Sequence, residues 1–184
     1  MGWVTRPRQE WPPPARWLNA KNASPLQREI VERALCDDGE LESDGPNRSP
    51  YIDQLVRWAG LDPAIPGGVY WCAIWVARVF ADAGAQIPLR FASCDAWLDR
   101  MVPLESVPPA RRVGAAILYG VPGDAHHVGI IARWPKPTKQ QLLPLTIEGN
   151  RGYAGSATNN GVAVDLAPLT RRDVLGVVLP QSII

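Results

Sequence analysis

Apolar residues recur at helical spacing in the first half of the chain and in short β-branched runs in the second. Ser24-Pro25-Leu26-Gln27 reads as a capping box with proline at the first helical position. Leu26, Ile30, Val31, Ala34 and Leu35 follow on one face, which predicts a helix to about Leu35. Ser49-Pro50 opens a second helix, with Ile52, Leu55, Val56 and Ala59 at i, i+3, i+4 and i+7 and Gly60 as its stop. Tyr70 to Ala83 is apolar almost all round, broken only by Arg78 and Asp82, and ends at Gly84. That pattern predicts a helix buried in the middle of a domain. A short helix is expected around Ser93 to Arg100.

From there the period changes. Val113–Tyr119, His126–Arg133, Leu143–Gly149, Val162–Leu166 and Val174–Leu179 are short runs rich in β-branched residues, separated by Gly, Pro and Asn. They predict strands of one sheet. Helices first and strands afterwards, without alternation, predict an α+β domain: N-terminal helices packed on a largely antiparallel sheet of about five strands. Residues 1–23 carry Trp3, Trp11 and Trp17 around Pro12-Pro13-Pro14 and are expected to form an extended arm laid on a single domain at 24–184. The acidic segment Cys36 to Gly45 fails the spacing of a calcium loop and reads as a solvated loop.

Composition narrows the field. With 184 residues, 46% of them hydrophobic, the chain can enclose one substantial core. A net charge of +1, with sixteen arginines spread along the sequence, gives no broad electrostatic case for nucleic acid or an anionic membrane. Cys36, Cys72 and Cys94 form no C-x-x-C pair, so neither a disulfide scaffold nor a zinc ribbon is expected. The first twenty residues lack the apolar region of a Sec-type signal peptide, and the longest apolar stretch, Val69 to Ala77, is far too short to span a bilayer.

Chemistry concentrates in three places. Cys72 falls in the first turn of the buried helix, where amide dipoles favour a thiolate. His126 and His127 are adjacent in a strand and must point to opposite faces. His127 shares its face with Gly129, which leaves room for a helix to come close, so it is the one expected to meet Cys72. In Thr146-Ile147-Glu148-Gly149-Asn150, alternation puts Glu148 and Asn150 on one face. A hairpin closing symmetrically about positions 137 and 138 would set His127 opposite Glu148. A nucleophile, a base and a group that orients the base are the parts of acyl transfer. Simple packing of a buried cysteine, and solvated Glu148 and Asn150, are the bland alternatives.

Trp71-Cys72-Ala73 opening a helix, then His127-Val128-Gly129-Ile130, then Ile147-Glu148-Gly149-Asn150, resemble the signature of CHAP domains. These are the cysteine- and histidine-dependent amidohydrolases and peptidases of the papain-like NlpC/P60 superfamily. The segment Gly45-Pro46-Asn47-Arg48-Ser49-Pro50 and the helix after it are similar to the family's lead-in, and the likeness covers roughly residues 25 to 180.

The resemblance implies a papain-like fold with Cys72 as nucleophile, His127 as general base, and Glu148 or Asn150 as the third member. It implies cleavage of an amide in peptidoglycan, either the sugar-to-L-alanine bond or a peptide bond. Tyr70, Trp71, Trp134 and Tyr153 are expected groove walls. Gly114-Ala115-Ala116 stands where the family usually has Gly-Asp, and the acid-rich calcium loop of some members is absent, so no metal or other cofactor is expected. A monomer without nucleic-acid or membrane partners is expected. Without a Sec signal, it would reach the wall by lysis, phage delivery or specialised secretion; a secreted toxin would have a cognate immunity protein. A catalytically silent wall-binding domain, and a papain-like protease or transferase acting on protein, are the competing readings.

Overall fold

A computed structural model describes residues 23–134, 145–152, 160–165 and 174–182. The N-terminal arm up to residue 22, and Tyr153, lie outside the described residues. The element order is α1 (Pro25–Cys36), α2 (Pro50–Trp58), α3 (Cys72–Asp82), 3-10 segments at Cys94–Arg100 and Leu104–Ser106, α4 (Pro109–Arg112), β1 (Ala116–Val121), β2 (Asp124–Arg133), β3 (Leu145–Gly152), β4 (Asn160–Asp165) and β5 (Val174–Val178). The strands form one antiparallel sheet in the order β4-β3-β2-β1-β5, as expected of an α+β chain. No described helix is long and apolar enough to cross a membrane.

The helix starts follow the local sequence. Ser24 caps α1 in a complete capping box with Gln27, and the Ser49 hydroxyl accepts the Ile52 N–H at 3.1 Å to cap α2. The Gln27 amide also donates to the carbonyls of Arg111 and Val113, at 2.9 and 2.7 Å. This joins α1 to the entry of β1. Two successive residues of positive φ, Gly67 and Gly68 (82° and 71°), turn the chain toward α3. A side chain at Gly68 would press on Asn47 and the Pro46 carbonyl, so glycine is required there.

Helix α3 lies in the main core. Ile74, Trp75, Val76, Ala77 and Phe80 are fully buried against Val128, Ile130, Ala132 and Ile147 from one face of the sheet. The other face carries a smaller cluster of Val107, Ala115, Ile117, Tyr119, Ile131 and Val177. Ala115 and Ala116 are both fully buried, one on each face. A carboxylate at either position would be desolvated by its apolar neighbours.

The acidic segment is solvated only in part. Asp37 accepts the Trp75 indole N–H at 2.9 Å, and the buried Glu42 accepts that of Trp71 at 3.2 Å. Two tryptophans at the head of a buried helix need acceptors for their N–H groups, and these acids supply them. Backbone bonds of Gly39 and Glu40 with Val162 fasten the segment to β4.

Candidate active site

Cys72 is the first residue of α3, and Trp71 is its N-cap without a side-chain cap bond. The first-turn amides of a well-packed helix therefore open at the sulfur with no side-chain oxygen from the cap competing for them. Three further groups converge there. The Cys94 thiol lies 3.6 Å from the Cys72 sulfur, and His127 and the Val128 backbone N–H of β2 are close enough to stabilise negative charge on it. Together these hold the Cys72 thiol well below the ordinary cysteine range, with the Cys94 contact contributing most, against burial that acts to raise it. The same contact and burial push the Cys94 thiol up, so Cys94 is the member that keeps its proton.

His127 is aligned by Glu148. Its Nε2 lies 3.0 Å from Oε2 of the fully buried Glu148, leaving Nδ1 for the sulfur. The Tyr119 ring stacks on the imidazole with centroids 5.8 Å apart. Burial acts to lower the imidazole, but the hydrogen bonds and negative charge of Cys72 and Glu148 outweigh it and raise it to about 9. Both shifts act in the same sense, favouring the thiolate–imidazolium form of the pair.

Glu148 is itself fully engaged. The Tyr119 and Thr146 hydroxyls donate to Oε1 at 3.0 and 2.6 Å, and Arg151 donates to Oε2 alongside His127. Burial alone would raise this carboxyl; His127, Thr146 and Arg151 hold it down to about 2.

The geometry corrects four expectations. Strands β2 and β3 pair Ile130 with Ile147 and Ile131 with Thr146, so Glu148 comes opposite Gly129, not His127. The register is displaced by two positions, which preserves the face, and Glu148 still reaches His127 diagonally. The space left by Gly129 is taken by Glu148, not by a helix. A Cβ there would lie 2.6 Å from the Glu148 Cγ, and α3 packs on the other face. Alternation fails after Glu148, because a bulge between Glu148 and Arg151, with Asn150 at φ 58°, swings Arg151 to the carboxylate. Asparagine tolerates that left-handed backbone. Finally, Trp71 is a fully buried core residue, not a groove wall.

Trp134 also lies away from the site. It stacks under Arg112 at 4.2 Å beside the smaller cluster. It stands seven positions along the chain from His127, just past the end of β2, about 23 Å at the usual strand rise. Tyr70 is 78% exposed and two positions before Cys72, so among the described wall residues it is the one available to a ligand there. His126 points away from the site, 59% exposed and 3.5 Å from Asp124.

Sequence reasoning missed Cys94, Tyr119, Thr146 and Arg151. Thr146 had a signal, since it shares the strand face of Glu148. Tyr119 is set by pairing with His127 across β1 and β2. Cys94 had none: it reaches Cys72 only because the 3-10 segment is pinned, Asp95 accepting the Ala125 N–H at 2.9 Å and Trp97 packing edge-on against Phe80. The chain matches no family model, no curated protein and no solved structure.

Proposed function

We propose that this protein is a thiol-dependent amide hydrolase of the papain-like, CHAP-type class, acting on peptidoglycan. The observation that carries the reading is the chain of contacts from the Cys72 sulfur at a helix start, through His127, to a buried and fully hydrogen-bonded Glu148. The wall as substrate rests on the motif resemblance, with the exposed Tyr70 as a candidate contact.

The Cys72 thiolate attacks the amide carbonyl, and the first-turn amides of α3 receive the developing oxyanion. His127 gives its proton to the leaving amine, and the acyl group remains as a thioester. The neutral imidazole then takes a proton from water, which releases the acid and restores the pair. Glu148 keeps Nδ1 turned to the sulfur and stabilises the imidazolium; Asn150 at the bulge holds the backbone turn that brings Arg151 in.

The test is digestion of purified sacculi with mass spectrometry of the released fragments. Wild type should release peptides or amino-sugar fragments with newly formed termini that define the bond cut, and Cys72→Ala and His127→Ala should release none. Equal release by both variants would refute the mechanism. No release by wild type, with sacculi retained on the protein, would favour a silent wall-binding domain.

A further inference from the structure

We propose that Cys72 and Cys94 are a reversible redox pair, in which a hydroperoxide oxidises Cys72 and Cys94 closes a disulfide that switches the site off. The two sulfurs lie 3.6 Å apart, and a disulfide needs them at about 2.0 Å. The two sulfurs are already in contact, so the bond needs an approach of about 1.6 Å. Cys94 is only partly buried and touches Cys72, which is 4% exposed, so the pair is not sealed from solvent at the Cys94 side. Cys36, the remaining cysteine, is exposed at the C-terminal end of α1, on an element separate from this contact.

The steps balance. The Cys72 thiolate attacks one peroxide oxygen; the S–O bond forms, the O–O bond breaks, and the leaving hydroxide takes a proton from solvent. Cys94 then attacks the sulfenic sulfur; the S–S bond forms, the S–O bond breaks, and hydroxide departs with the Cys94 proton as water. Two thiols have lost two electrons in total, and the peroxide has become two waters. An added thiol reverses the change by exchange. A cysteine without such a neighbour proceeds instead to the sulfinic and sulfonic acids, which thiols do not reverse.

The inference rests on the thiolate that the hydrolase reading also uses, yet its readout is mass, not hydrolysis. The reduced full chain is treated with hydrogen peroxide, alkylated and digested with trypsin without reductant. Cleavage after arginine places Cys36, Cys72 and Cys94 on separate peptides, 34–48, 58–78 and 91–100. Wild type should lose two hydrogens and yield a linked 58–78/91–100 species that dithiothreitol dissolves, with alkylation of Cys72 restored. Cys36→Ser should give the same link, and Cys94→Ser should instead collect two or three oxygens irreversibly on Cys72.

Oxygen addition to Cys72 in wild type with no linked peptide, or a link through Cys36, would overturn the pair. Linkage without fragment release from sacculi would leave the redox pair standing and remove the hydrolase. Fragment release without linkage would do the reverse.

Discussion

Glu148→Gln removes a charge while nearly preserving the shape of a fully buried side chain. In wild type the carboxyl is held from an ordinary 4.5 down to about 2, burial opposing and His127, Thr146 and Arg151 prevailing. A tenfold change in proton affinity is worth about 1.4 kcal/mol, so the charged carboxylate contributes about 3 kcal/mol of stability at neutral pH. Because the folded-state value is depressed, that contribution is complete above the ordinary carboxyl range and disappears as pH falls through about 2. At about pH 3 roughly half of it remains. The amide cannot replace the carboxylate, since its NH2 would oppose donors of His127 and Arg151. Urea unfolding of wild type and Glu148→Gln across this pH range should show a difference of about 3 kcal/mol near neutrality, narrowing to about half near pH 3. A difference that stayed constant with pH would show that the charge is not its source and would remove the electrostatic account of His127 alignment.

Other substitutions separate the parts of the site. Gly129→Ala places a methyl group 2.6 Å from the Glu148 Cγ; it should cost about 1–3 kcal/mol in unfolding measurements and lower hydrolysis by about tenfold or more. Trp71→Phe deletes the indole donor to the buried Glu42 and should destabilise by about 1–3 kcal/mol, read as a lower melting temperature, with the hydrolytic KM unchanged because the ring is core. Iodoacetamide should alkylate Cys72 at a rate nearly independent of pH from neutrality until His127 titrates at about 9. In His127→Ala the alkylation rate should rise steadily with pH as for a less activated thiol, and a wild-type profile in that variant would dismiss the ion pair.

The periodicity of Leu26 to Leu35, Ile52 to Ala59 and Tyr70 to Ala83, and the β-branched runs after Val113, determined the helices and strands. Each is a local pattern of burial along one element, bounded by Ser24, Ser49 or Gly84. Alternation likewise placed His126 and His127 on opposite faces, and an i to i+1 relation needs no knowledge of the fold. Register was a different matter: pairing Ile130 with Ile147 set Glu148 over Gly129, and the bulge at Asn150 delivered Arg151. Those outcomes depend on how two strands settle against each other and on a backbone kink that side-chain alternation does not encode. The same holds for Trp71 and Trp75, whose N–H groups meet acids from a loop that reads as solvent-facing, and for Cys94, twenty-two residues from Cys72 and yet in contact with its sulfur. Contacts between elements far apart in the chain are chosen by packing of the whole core, so only the tertiary structure could decide them.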